Sequence, residues 1–181
     1  MADPHIIVVM GVTSSGKSSV GRALADRLGA AFFEGDDFHP RANVEKMSRG
    51  QPLDDADRAP WLDAIATEIE RQARTGRSAI FTCSALRRIY RDRLRRGSGH
   101  LRFVFLDGER ELIAGRMAGR RDHFMPPTLL PSQLATLERP DGEADVLHVD
   151  NSAGIGEIVE RIAGILAASA SIQTDHTDLT G

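Results

Sequence analysis

Short apolar runs alternate along the chain with longer amphipathic segments, the pattern of an α/β fold built on a largely parallel sheet. "HIIVVM" (His5–Met10) reads as a buried strand. A helix follows from Lys17, with Val20, Leu24 and Leu28 spaced along one face and Gly29 as its stop. "AAFFE" is a second, short strand, "AIFTC" (Ala79–Cys83) a third, "LRFVFLD" (Leu101–Asp107) a fourth and "DVLHVDN" (Asp145–Asn151) a fifth. Between them the pattern predicts helices over Pro60–Thr75, Ala85–Arg96 and Arg110–Gly119. Pro60 suits a helix start, and Trp61, Leu62, Ile65 and Ile69 supply the apolar face. A last helix is predicted from about Gly156 to Ala168. Beyond it "SASIQTDHTDLTG" is polar and aperiodic, so 1–168 reads as one domain and 169–181 as a flexible tail.

The first strand and helix enclose "GVTSSGKS", a match to G-x-x-x-x-G-K-[ST] in the context the motif requires. Such a turn presents backbone N–H groups and a helix N-terminus to anionic oxygens. Gly11, Thr13, Ser14, Ser15, Gly16, Lys17, Ser18 and Ser19 are therefore the candidate nucleotide contacts. Lys17 can reach the β- and γ-phosphates, and the Ser18 hydroxyl can ligate Mg²⁺. No "NKxD"-type stretch is present to read guanine, which favours ATP.

The acceptor side is predicted where the second strand ends, in "EGDDFHP" (Glu34–Pro40), because strand ends in such sheets face the ligand crevice. That places Asp36, Asp37 and His39 at the acceptor. Asp36 is the first choice for taking a proton from an attacking hydroxyl or for supporting Mg²⁺. The same residues also suit a cap or turn. The third strand brings no acid to its end, which shifts metal support toward Asp36 and leaves base and metal roles unseparated. Arginine's planar fork suits carboxylates, so Arg49, Arg58, Arg87 and Arg88 make an anionic acceptor plausible. Most of the arginines of "ALRRIYRDRLRR" read as a solvated face, with those nearest the strand end singled out. "GRMAGRRDHFMPP" (Gly115–Pro127) places Arg116, Arg120, Arg121 and His123 where a lid over the transferring phosphoryl group would close.

Composition narrows the classes. The 181 residues carry a net charge of −3, which argues against broad affinity for nucleic acid or anionic membrane. A single cysteine, Cys83, excludes an intrachain disulfide and points to a reducing compartment; within its apolar run it reads as a small core residue. No apolar run is long enough to span a bilayer, and the histidines lack zinc-ligand spacing. A cytoplasmic protein is the simplest expectation.

Taken together, the chain resembles the small phosphate-loop gluconate kinases from Ile6 to about Val159. The likeness rests on "GVTSSGKS", "GDDFHPRANVEKMSRGQPLDDADRAPWL", "CSALRRIYRDRLR" and "RMAGRRDHFMPPTLLPSQLATLE". The resemblance implies a three-layer fold like that of nucleoside monophosphate kinases, with a five-stranded parallel sheet and a lid at about 115–130. It implies transfer of the ATP γ-phosphoryl group to the 6-hydroxyl of D-gluconate with Mg²⁺, by a cytoplasmic homodimer. By matching position, Lys17 and Ser18 would serve nucleotide and metal, and Asp36 the reacting hydroxyl. Arg49, Arg58, Ser84 and Arg88 would be candidates for the sugar-acid pocket, with His123 and Gln133 joining from the lid side and Arg116 and Arg120 as lid arginines. Ser14 stands where the family commonly has glycine, and Arg121-Asp122 replace a less charged pair. The rival readings are a shikimate- or nucleotide-type kinase and a non-enzymatic nucleotide-binding regulator.

Overall fold

The computed structural model describes residues 4–118 and 129–175. Strand β1 (Ile6–Met10) is buried at every position because it runs through the middle of a five-stranded sheet. Its neighbours are β3 (Ala79–Thr82) and β4 (Leu101–Asp107), with β2 (Ala31–Phe33) and β5 (Val146–Asp150) outermost. All four pairings are parallel. Such a sheet must be covered on both faces, which accounts for the unbroken apolar run.

Alternation along β1 divides the core in two. Ile6, Val8 and Met10 pack with Trp61, Leu62, Ile65 and Ile69 of α3 (Asp55–Thr75) and with Tyr90 and Leu94 of α4 (Arg88–Arg95). Ile7 and Val9 pack with Val20 and Leu24 of α1 (Lys17–Leu28) and with Ile158 and Ile162 of α7 (Ile155–Asp175). Full burial of each such side chain is worth roughly 1.5–3 kcal/mol. The sheet is thereby fixed in place, with the loops at its C-terminal edge left to form the site. Those loops carry α2 (Arg41–Ser48), α5 (Arg110–Ala118) and α6 (Leu129–Thr136).

Three boundaries differ from the sequence reading, and two further α-helices appear. Helix α3 begins more than a turn before Pro60, because Asp54 and Asp57 form a reciprocal capping box. Helix α4 begins at Arg88 rather than Ala85, since Ala85 sits at φ 46, outside helical geometry. Helix α7 continues through Asp175, past the expected end at Ala168. The short α2 and α6 carry little periodic signal and are not anticipated. Most of the expected lid, residues 119–128, lies outside the described residues, as does 176–181.

Candidate active site

The phosphate loop leaves the buried end of β1 and enters α1 through Gly16, at φ 98. Thr13, Ser14 and Ser15 are buried, so the loop is packed rather than free. The Ser15 N–H donates to Val12 O at 3.2 Å, and Lys17 Nζ donates to the same carbonyl at 2.9 Å. A further bond arrives from far along the chain: Gln133 Oε1, on α6, accepts the Thr13 N–H at 2.6 Å. Ser14 occupies φ 59, in the left-handed region that glycine tolerates best.

Opposite this loop, the chain leaves β2 in a 3-10 turn, Gly35–Phe38, pressed against the end of β3. Gly35 donates to Thr82 Oγ1 at 3.0 Å, and a Cβ at Gly35 would come within 1.7 Å of the Thr82 carbonyl. Only glycine permits this approach. Trp61 Nε1 donates to Gly35 O at 2.7 Å and holds the turn from the α3 side. Thr82 also donates its hydroxyl to Glu34. The turn is thus bonded to strand and helix alike, which fixes where Asp36 points.

One cavity joins the two halves. It is lined by Thr13, Ser14, Gly16, Lys17 and Ser18 of the loop, and by Glu34, Asp36, His39, Arg58 and Trp61 from the end of β2, the turn and α3. Ser84, from the loop after β3, and Gln133 also face it. Burial raises the Asp36 carboxyl above its ordinary range; Lys17 opposes this, while Glu34 and Asp37 add to it. His39 lies stacked on Trp61 with ring centroids 4.0 Å apart, and its Nε2 is 3.8 Å from Asp36 Oδ1. Burial, and then Arg58, lower the His39 pKa to about 4, so the ring is neutral at pH 7. The Asn43 amide nitrogen, 3.3 Å from His39 Nδ1 and 2.8 Å from Asp57 O, can only donate. His39 Nδ1 is therefore the acceptor, and its proton sits on Nε2, toward Asp36.

Arg58 hydrogen bonds to Leu53 O and lies against the Tyr90 ring at 5.3 Å, with Tyr90 Oη at 3.4 Å. It brings a cation to the same cavity from α3. Two other expected arginines stand elsewhere. Arg49 is exposed at the end of α2, 3.9 Å from Glu45. Arg88 is exposed at the first position of α4, where the face turned inward is that of Tyr90, Arg91 and Leu94. Ser19 is exposed at the third position of α1, and Gly11 lies buried beneath the loop. Arg116 reaches from α5 to Asn151 O at 2.7 Å. Arg120 and His123 lie outside the described residues.

Sequence reasoning missed Glu34 as a cavity residue, although its place at the end of β2 follows the same strand-end rule that found Asp36. Trp61, read as core, is both buried and part of the cavity wall. Asn43 and Asn151 carried no signal in the sequence, since their roles depend on contacts across the fold. Cys83 is a core residue, with burial pushing its thiol up to about 12.

Comparison with known proteins agrees with this architecture. Residues 6–140 match the family model described as an AAA domain. A gluconokinase of Gluconobacter oxydans is 48% identical over 159 residues, covering 88% of this chain and 89% of the relative. The thermoresistant gluconokinase of Escherichia coli is 42% identical over 171 residues, covering 94% of each chain. The crystal structure of a gluconokinase from Sinorhizobium meliloti superposes with a TM-score of 0.86 at 46% identity, covering 97% of this chain and 99% of that one. The phosphate loop and the acidic turn facing it are therefore those of a member of the gluconokinase family, to which this chain belongs.

Proposed function

We propose that this protein transfers the γ-phosphoryl group of ATP to the 6-hydroxyl of D-gluconate, giving 6-phosphogluconate and ADP. The observation that carries the reading is the single cavity in which Lys17 and Ser18 face Asp36, His39 and Arg58. The gluconokinase relatives supply the identity of the acceptor.

In this reading the gluconate O6 attacks the γ-phosphorus as the bond from phosphorus to the β,γ-bridging oxygen breaks. That electron pair stays on ADP, and the hydroxyl proton passes to an Asp36 carboxylate oxygen. A raised Asp36 pKa makes the carboxylate a better proton acceptor than an exposed one. Lys17 and the loop N–H groups balance charge on the transferring group. The His39 Nε2–H donates to a sugar hydroxyl, and the Arg58 fork holds the gluconate carboxylate. Ser18, Asp36 and Glu34 offer hard oxygen donors in one cavity, a set that fits Mg²⁺. Bound there, that ion would neutralise negative charge on the phosphates. Arg116, Arg120, His123 and Gln133 belong to the lid side of the same scheme. No helix among the described residues is long and apolar enough to cross a membrane. The family likeness supports a cytoplasmic homodimer, which light scattering would read.

The test is ADP release from MgATP across D-gluconate, other sugar acids, shikimate and AMP. Turnover with gluconate well above the rest is expected. Preference for shikimate or AMP would replace the acceptor while leaving the nucleotide half in place.

A further inference from the structure

Asn151 directly follows β5 and is 1% exposed, yet no catalytic step calls on it. Its backbone N–H donates to Asp107 O at the end of β4, at 3.0 Å. Its side-chain Nδ2 donates to the Ser15 carbonyl of the phosphate loop at 2.9 Å, across 136 residues of sequence. Its own carbonyl accepts from Arg116 of α5 at 2.7 Å. The carboxamide is held closely: a Cβ at Gly108 would stand 2.2 Å from Asn151 Oδ1. Gly108 thus leaves room for the amide and confines it.

The consequence follows from peptide geometry. In a planar trans peptide the carbonyl and the following N–H point in opposite directions. Holding the Ser15 carbonyl outward, toward Asn151, therefore aims the Gly16 N–H the other way, into the cavity that Gly16 and Lys17 line. Gly16 sits at φ 98 and has broad conformational freedom, so without this bond the peptide could rotate and turn its carbonyl oxygen toward the phosphates.

We infer that Asn151 is a positioning residue for the nucleotide site, fixing the Ser15–Gly16 peptide so that its N–H is presented to a phosphate oxygen. The inference rests on the nucleotide half of the proposed function and is independent of the acceptor.

The experiment is titration calorimetry with MgADP, without any acceptor, on the full chain. Asn151→Ala is expected to weaken ADP about tenfold, and Asn151→Asp at pH 8 by at least as much. The ionised carboxylate cannot donate and repels the Ser15 carbonyl. Protonation gives the aspartate variant a donor again. A carboxyl buried at this position against the Ser15 carbonyl titrates well above the ordinary value of about 3.9, so the variant's affinity, measured relative to Asn151→Ala at each pH, should recover severalfold between pH 8 and pH 5.5. The Arg116 bond is made to the backbone and survives both substitutions. ADP affinity within twofold of the parent in a folded Asn151→Ala protein overturns the inference, as does an affinity ratio that does not change with pH. Should the alanine variant fail to fold, the ratio of the near-isosteric aspartate variant to the parent gives the same reading. Loss of gluconate turnover in the parent with ADP binding intact would sink only the acceptor assignment.

Discussion

Gln133 Oε1 accepts the backbone N–H of Thr13 at 2.6 Å, joining α6 to the phosphate loop across 120 residues. Helix α6 is in this way bonded directly to the phosphate loop. Removing the side chain with Gln133→Ala deletes one net hydrogen bond, worth about 1 kcal/mol, so the ATP KM should rise about fivefold. Gln133→Glu keeps an acceptor for Thr13 but adds a negative charge beside the triphosphate. It should be worse than alanine at low salt and recover partly at high salt. Steady-state kinetics at two ionic strengths decides, and an unperturbed glutamate variant would place Gln133 away from the phosphates.

Asp36→Asn should lower turnover by roughly 10²–10⁴-fold with little change in the ATP KM. Loss of ATP affinity without loss of turnover would assign Asp36 to metal support instead. In the parent, kcat/KM for the acceptor should fall as pH drops through a value above the ordinary 3.8, because burial raises this carboxyl. The sign for stability is opposite. A raised folded pKa means that the stabilising contribution is present at low pH and lost as pH rises through the folded value. At pH 7 the ionised Asp36 is a burden on the fold, and Asp36→Asn should raise the Tm.

His39 behaves in the reverse sense. Its folded pKa of about 4 lies below its ordinary 6.5, so its contribution is present above 6.5 and lost as pH falls toward 4. Across that window the loss is roughly 3 kcal/mol. Denaturant unfolding of the parent and of His39→Gln should show a stability difference that shrinks from pH 7 to pH 4. A constant difference would mean that the imidazole is not buried as a neutral group.

Arg91 is fully buried and bonds Glu143 through Nε and Nη2, at 3.0 and 2.6 Å. Its Nη1 donates to Ala85 O at 2.8 Å and Leu86 O at 3.2 Å, bracing the loop in which Ala85 holds φ 46 beside the cavity residue Ser84. Burial raises the Glu143 pKa, but the bonds from Arg91 and Arg95 outweigh it and bring it to about 2. Arg91→Ala would leave that buried carboxylate to Arg95 and the loop unbraced, at a cost of roughly 3–5 kcal/mol. A drop in Tm of roughly 10 °C or more is expected from a thermal melt. A shift within the error of the melt would show the network to be dispensable.

Ser14 stands at φ 59, where a side chain costs roughly 1–2 kcal/mol and glycine pays only extra unfolded-state entropy of about 0.5–1 kcal/mol. Ser14→Gly should therefore stabilise the protein by a fraction of a kcal/mol to about 1 kcal/mol. Denaturant titration reads the change, and a destabilised variant would show that the serine makes compensating contacts.

The sequence by itself determined the strands, the first helix and its glycine stop, and the phosphate loop, because these depend on local periodicity and on a motif whose chemistry is carried by adjacent residues. It also led to Asp36 and His39, which line the cavity facing the phosphate loop, since a strand end in a parallel sheet points one way. Tertiary structure alone decided which basic groups face the cavity. Arg58, Arg49 and Arg88 are the same residue type near the same loops, yet only Arg58 lines it, because helix phase and boundaries set the direction of each side chain. Position 60 shows the same limit: proline marked a helix start, and a capping box whose N-cap is Asp54 starts the helix at Asp55 instead. The bonds from Gln133 to Thr13, Asn151 to Ser15 and Asn43 to His39 each depend on geometry rather than pattern. An amide side chain carries no periodic signal, and its role exists only once folding has brought a particular backbone or ring atom within hydrogen-bonding distance.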